Sequence, residues 1–373
     1  MKKISRVVKF VLTAVVIITF LFSTYILFYN GVFFGKANNV EISFETISDI
    51  QSNNTNLVKI GDRLYYNYEP KDSFDDLFTY GLYEITSSGA KRVYWGGPKI
   101  TDGSNLFRID SAGDSLIRKF SDLPYNETPN GQIYKYNTFW HNFEVMNELS
   151  EAVPAPMRAC RYVDGAYFYY LTNALYIQKE DKLEKIIDVW QTDDESIPVT
   201  YKYFIESSDM VYYIKPDGKK PDEGASIFCS YTVSQKKESE IRKIELPADD
   251  IAELYIDGDK IILGVVPEYS IEDNPLYMTS IEKDGELTEV LNDHSPFGGT
   301  IVYDGMVYFI DFMSDSEGLY SVALNNPGKR NMLYEGRVMS IHIFDSQWIY
   351  FTDDKEVLYR ITRDGKTLEK VFG

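Results

Sequence analysis

Imidazole and thiol chemistry is scarce in this 373-residue chain: His141, His294, His342, Cys160 and Cys229 are its whole supply. A zinc centre needs three or four such ligands at close spacing, and no His-x-x-x-His pair or Cys/His cluster occurs. A Gly-x-Ser-x-Gly nucleophile elbow and a Walker loop are also absent. Carboxylates are the opposite case. There are 57 of them, too many for one pair to stand out, so a glycosidase- or lyase-type dyad stays open. No cofactor is expected; Ca2+ is the one cation that acidic loops of this composition would suit, although none follows the EF-hand spacing. The two cysteines are too few for a disulfide framework. Each lies in an apolar, strand-like run, which suits a buried free thiol, with a Cys160–Cys229 bridge as the alternative.

Recognition chemistry is better supplied. Asp72, Asp75, Asp76, Asp222, Glu223, Glu272, Asp273, Asp315 and Glu317 sit in polar stretches, and Trp95, Trp190, His294 and Phe297 fall between apolar runs. Aromatic anchors ringed by charge suit a protein or glycan surface. The same tryptophans would serve equally as plugs between packed elements, and the acids as a solvated rim.

The element that sets the address comes first in the chain. Phe10 through Gly35 carries no charge, long enough for a helix to cross a hydrocarbon core. Lys2, Lys3, Arg6 and Lys9 precede it and only Lys36 closely follows, so the positive-inside bias puts the N-terminus in the cytoplasm. A cleaved signal peptide is the rival, but its apolar core would be shorter, and Gly35-Lys36-Ala37 is a poor cleavage site. The expected organisation is therefore a cytoplasmic 1–9, a transmembrane signal anchor at 10–34, a juxtamembrane linker at 35–54 and an extracellular domain at 55–373. The chain carries a net −19, and its portion beyond the anchor is more acidic still. That excludes a nucleic-acid partner, which needs a basic stripe.

The extracellular part repeats. A turn of Asp-Gly type leads into an aromatic strand at Gly61–Tyr66, Asp164–Tyr169, Ser208–Tyr213, Asp257–Ile262, Asp304–Phe309 and Asp345–Tyr350. A weaker copy stands at Asp102–Phe107. A Leu-Tyr strand comes after most copies, as in Gly81-Leu82-Tyr83, Leu175-Tyr176, Leu276-Tyr277, Gly318-Leu319-Tyr320 and Leu358-Tyr359. A third strand comes after a polar turn such as Asp284-Gly285 or Asp364-Gly365, and one more precedes each Asp-Gly turn. Asp-Gly between apolar runs is a strong hairpin signal. Four short antiparallel strands recurring about every 45 residues predict an all-β fold, a β-propeller. The length from Thr55 to Gly373 suits a seven-bladed ring, with a six-bladed ring carrying one elaborated blade as the alternative.

Tyr350-Phe351-Thr352-Asp353 resembles the YWTD repeat of the low-density-lipoprotein-receptor propellers, with Phe in place of Trp, and Tyr308-Phe309-Ile310-Asp311 is a looser copy. The chain is most similar to a bacterial YWTD-like family of unknown function, DUF5050, whose members are often membrane-anchored or secreted. The likeness is good in the last blades. It departs at Tyr212-Tyr213-Ile214-Lys215, which lacks the Thr-Asp end, and at Ile261-Ile262-Leu263, which lacks the aromatics. The resemblance implies a propeller that binds something and implies no catalytic residues.

Loop lengths are unequal. First-to-second and third-to-fourth turns are short, whereas second-to-third loops such as 67–79, 215–225, 267–274 and 311–317 are long. Long loops on a rigid scaffold are where binding usually resides. In a propeller they share one face with the blade-to-blade links, so Asp72, Asp75, Asp76, Asp222, Glu223, Asp315, Trp95, Trp190, His294 and Phe297 would meet there. The expected function is a non-catalytic module that binds an extracellular protein or a cell-wall glycan. An enzyme acting on cell-surface polysaccharide (a hydrolase or lyase) and an extracellular sensor of a small ligand are the alternatives. His342, within a predicted innermost strand, would line the core or the channel wall.

Overall fold

The computed structural model describes residues 6–29, 51–52, 57–60, 63–68, 81–94, 108–112, 115–120, 132–137, 142–145, 157–171, 174–179, 182–188, 202–217, 225–245, 250–266, 275–282, 285–292, 299–312 and 316–373. Helix α1 runs from Arg6 to Tyr29. It starts four residues before the uncharged run. Its threonine hydroxyls are satisfied internally: Thr13, Thr19 and Thr24 donate to the carbonyls of Lys9, Val15 and Phe20 at 3.0, 2.9 and 2.8 Å. Such back-bonding removes the cost of an unpaired hydroxyl in an apolar setting. By length and composition, its stretch Val8–Tyr25 suits a membrane span or a signal sequence alike.

Among the described residues, all other elements are strands. After β1 (Gln51–Ser52), the first sheet is β2 (Leu57–Ile60), β3 (Arg63–Tyr68), β4 (Gly81–Thr86) and β5 (Gly89–Tyr94). The second is β6 (Arg108–Ala112), β7 (Ser115–Phe120), β8 (Gln132–Asn137) and β9 (Asn142–Val145). The third is β10 (Met157–Val163), β11 (Ala166–Leu171), β12 (Ala174–Lys179) and β13 (Lys182–Asp188). The fourth is β14 (Lys202–Ile205), β15 (Met210–Pro216), β16 (Ala225–Thr232) and β17 (Lys237–Glu245). The fifth is β18 (Asp250–Asp257), β19 (Lys260–Val266), β20 (Leu276–Ser280) and β21 (Thr288–Leu291). The sixth is β22 (Thr300–Tyr303), β23 (Met306–Asp311), β24 (Gly318–Ala323) and β25 (Asn331–Glu335). The seventh is β26 (Val338–Ile343), β27 (Trp348–Asp353), β28 (Leu358–Thr362) and β29 (Leu368–Phe372). Every sheet is an antiparallel meander in chain order, and β1 joins the seventh beside β26.

The Asp-Gly turns work as hairpins for a stereochemical reason. Asp164 and Gly165 have φ of 48° and 80°, and Asp304 and Gly305 have 53° and 73°. Two left-handed residues in succession form the two-residue turn whose twist matches that of the strands. The second sheet differs from expectation. Its hairpin pairs Ala112 with Ser115, so the turn falls at 113–114 and not at Asp102-Gly103, which lies outside the described residues.

The Leu-Tyr phrase has its own structural role. In six sheets the pairing of third and fourth strands slips by one residue at Leu82/Tyr83, Leu175/Tyr176, Phe228/Cys229, Leu276/Tyr277, Leu319/Tyr320 and Leu358/Tyr359. The residue left over on the fourth strand is Val93, Ile186, Ile241, Val290, Leu333 or Val371, in each case an aliphatic one. A bulge there increases the local twist and bends the outer strand while an apolar side chain fills the gap. The second sheet pairs its third and fourth strands without a slip.

Burial follows the sheet order. Apolar clusters join the third sheet to the fourth, the fourth to the fifth, the fifth to the sixth and the sixth to the seventh. Another joins the seventh to the first, with Phe344, Tyr350, Leu358 and Phe372 against Leu64, Tyr66 and Tyr83. Strands β2 and β10 both lie against β6. Inner strands are buried on both faces, as in Ile261-Ile262-Leu263 and Val307-Tyr308-Phe309-Ile310, each at most 1% exposed. That explains their lack of alternation.

Candidate functional site

The two ends of the sheets are built differently. At the tight-turn end, side chains tie several turns to their neighbours. The Asp164 carboxylate accepts from the Ser208 N–H at 3.3 Å, and that of Asp257 accepts from the Gly305 N–H at 2.7 Å. Arg363 reaches back from the seventh sheet to Asp304 at 3.3 Å and lies 4.3 Å over the Tyr303 ring. Asp345 accepts from the N–H groups of Gln347 and Trp348 at 2.9 and 2.8 Å. Lys59 is buried beside it, and that burial lowers the ammonium below its ordinary range against the pull of Asp345. An ion pair joins Lys236 to Glu184 across two sheets. The recurring Asp of the repeat therefore links sheets as well as forming hairpins. Its chemistry at this end is spent on the scaffold.

The opposite end carries the second-to-third connections. Tyr68 pairs with Gly81, Pro216 with Ser226, Gly264 with Leu276 and Asp311 with Gly318, so the expected long loops all leave from it. The third sheet needs only residues 172–173 there, and the seventh only a tight turn after Asp353. Trp95, Trp190, His294, Phe297, Asp72, Asp75, Asp76, Asp222, Glu223 and Asp315 lie outside the described residues. The described strand ends supply a base for the loops that bear several of them. Glu317, immediately before β24, is exposed, and its carbonyl accepts from the Gly336 N–H at 2.9 Å.

Between the sixth and seventh sheets this end presents a tyrosine ledge. Phe351, fully buried, forms its floor, with the Tyr334 ring 4.7 Å away and the Tyr359 ring stacked at 5.4 Å. Both tyrosines are half-buried, with their centroids 6.3 Å apart. Gly318 is required beneath them, because a Cβ there would stand 2.3 Å from the Tyr334 carbonyl oxygen. Burial, then Asp353 and Asp354, raise the Tyr334 phenol; burial, Asp353 and Tyr334 raise that of Tyr359. Both remain hydrogen-bond donors at neutral pH.

Acids border the ledge. The Asp353 carboxylate accepts from the N–H groups of Lys355 and Val357 at 3.0 and 2.8 Å, which builds the turn. Glu356 sits in that turn at φ 61°, a left-handed conformation costly for its residue type. Its carbonyl is held by the Tyr66 hydroxyl of the first sheet at 2.6 Å. Tyr66, Tyr68, Tyr83 and Phe372 form a second aromatic group on the other side of the same turn, with the Tyr68 and Phe372 centroids 5.2 Å apart. The exposed Asp354 and Lys355 thus project between two aromatic groups. None of these residues stands out in the sequence as functional. The available signal is the repeat itself, because Tyr359 and Asp353 belong to its two most regular phrases.

His342 lies on β26, wholly buried, its ring stacked on Phe344 at a 5.7 Å centroid distance. It accepts from or donates to the Ser340 hydroxyl at 3.2 Å. Burial lowers its pKa to about 3, so it is neutral and belongs to the core. Cys229 is a free, buried thiol that burial pushes up to about 11, so it is not bridged to Cys160. Among the described residues, no group of three or more His, Cys, Asp or Glu side chains could hold a metal ion.

No protein-family model matches the chain, and no curated protein sequence does. Solved structures are similar in fold. An oligogalacturonate lyase in complex with manganese is similar at a TM-score of 0.52 and 12% identity, over 74% of this chain and 78% of its own. A prolyl endopeptidase is similar at 0.52 and 7% identity, over 87% of this chain and 50% of its own, so the chain spans half that enzyme's length. TolB from Acinetobacter baumannii is similar at 0.44 and 10% identity, over 85% and 78% of the two chains. At such identities the first two speak to the fold alone. The fold is propeller-like, a series of antiparallel four-stranded sheets behind one N-terminal apolar helix.

Proposed function

We propose that the protein is a membrane-anchored, extracellular, seven-bladed β-propeller that binds a protein or a cell-wall glycan at its long-loop end, without catalysis. The observation that carries this reading is the inequality of the two ends. One spends its acids on links between neighbouring turns, whereas the other leaves half-buried tyrosines beside the exposed Asp354. Seven sheets packed in chain order, with the last against the first, support the blade number. The apolar helix supports the anchor, and the basic residues before it support a cytoplasmic N-terminus. In this reading the repeats are YWTD-like, and the terminal Asp353 shapes the turn that follows it.

The test uses the full-length protein in detergent, incubated with cell walls and with surface proteins isolated from the same cells. Replacing both Tyr334 and Tyr359 by alanine is expected to weaken binding at least tenfold, while Asp364→Ala at the other end leaves it unchanged. Release of soluble wall fragments would mark an enzyme instead. Equal binding by all three proteins would remove the ledge from the account.

A further inference from the structure

Strand β1 has an unexpected partner. Its two residues fall in the stretch expected to be a linker, yet they pair antiparallel with the innermost strand of the seventh sheet, Gln51 opposite Ile343 and Ser52 opposite His342. They also lie against β22, the innermost strand of the sixth sheet. Outer closure of a ring would add a strand beside β29. Here the added strand covers the inner edge of β26, the side that faces the channel of a propeller.

The register fixes the direction of travel. Strand β26 runs from the long-loop end towards the tight turn at Asp345, because Phe344 and Trp348 flank that turn. Antiparallel β1 therefore runs from the tight-turn end towards the long-loop end. Strand β2 runs the opposite way, because its Ile60 end pairs with Arg63 at the first-to-second connection. Both sheets have the same polarity, since Lys59 lies beside Asp345 at one end and Tyr66 reaches Glu356 at the other. Gln51, where β1 begins, therefore lies nearer the tight-turn end than Ser52.

We infer that the chain enters the propeller through its channel from the tight-turn end, so that the anchored protein presents its long-loop end away from the membrane. This rests on the anchored-propeller reading above. Residues 30–50 separate the helix from β1. Fully extended, a stretch of that length reaches ~70 Å, whereas the average span of a random-coil chain of equal length is ~25 Å. A domain of this size has a radius of ~25 Å, so a path from the channel over the rim to the opposite end needs ~50 Å. The direct path needs far less. The tyrosine ledge and the long loops then face a partner that approaches from outside, and the tight-turn end faces the lipid.

The full-length protein tests this in phosphatidylcholine–phosphatidylglycerol vesicles that carry an acceptor dye on the headgroups. A donor is attached through an azide-bearing phenylalanine analogue replacing either Lys366 or Glu317, both exposed and at opposite ends. The protein is expected to float with the vesicles, with at least twofold more energy transfer from position 366 than from position 317. Equal transfer, or more from 317, overturns the orientation while leaving the anchor intact. Failure to float overturns the anchor, and the orientation with it. Ser52→Pro, which removes an N–H and fixes φ in this two-residue strand, is expected to bring the two positions to within about 20% of each other in a protein that still floats; an unchanged ratio would show that the channel path does not orient the domain.

Discussion

Two clusters around the seventh sheet use similar residue types to opposite effect. At the tight-turn end Arg360 sits 4.2 Å over the Trp348 ring, only 4% exposed, and pairs with Glu369 at 2.6 Å. At the long-loop end Tyr334 and Tyr359 lean on Phe351 beside Asp353, with no cation covering their rings among the described contacts. The first cluster spends its cation within the protein, on Trp348 and Glu369. The second leaves aromatic surface and charge for something else. An acid near an aromatic ring is thus not informative by residue type alone; what matters is whether the protein has already completed the arrangement.

The comparison can be broken most severely through its shared floor. Phe351→Ala is expected to cost about 3–5 kcal/mol, as for other buried aromatics, and to abolish binding at the ledge; denaturant unfolding measures the loss. The buried imidazole gives the next effect. His342 falls from an ordinary 6.5 to about 3, so between those values the unfolded chain takes up a proton that the native state excludes. Its contribution to stability is intact above pH 6.5 and declines as pH drops towards 3. By pH 5 the loss approaches about 2 kcal/mol. A urea series on wild type and His342→Phe should show a shallower acid decline in the variant; parallel curves would contradict the burial account.

Smaller effects sharpen the contrast between ends. Asp257→Ala strands the Gly305 N–H and should cost about 1–2 kcal/mol. Asp354→Ala, at the exposed edge of the ledge, should change stability by less than about 0.5 kcal/mol while weakening binding. Thermal unfolding of the pair, read beside their binding, reverses the order if the ends have been assigned the wrong way round.

Much of the architecture is legible in local chemistry. Asp-Gly needs two left-handed residues, and Asp164-Gly165 and Asp304-Gly305 have them. The role of the Leu-Tyr phrase is hidden, because a bulge is a relation between two strands, and the extra Val93 or Val371 is only another aliphatic when read alone. The second sheet misleads at its hairpin because 113–114 is Gly-Asp, and Asp102-Gly103 offers a louder signal nearby. Strand β1 is invisible for a different reason. Two polar residues have no periodicity, and their pairing is set by a partner almost 300 residues away. The ledge escapes notice since Tyr334 and Tyr359 look like two more strand aromatics among 30 tyrosines; only packing distinguishes the half-buried from the buried.

The central claim is that one end is scaffold and the other is surface for a partner. Hydrogen exchange on the full-length protein in nanodiscs, with and without isolated cell wall and surface protein, tests it most directly. The account predicts added protection at 353–359 and around 334, with none at 344–348 or 363–367. Protection confined to those tight turns, or no protection anywhere, would contradict it.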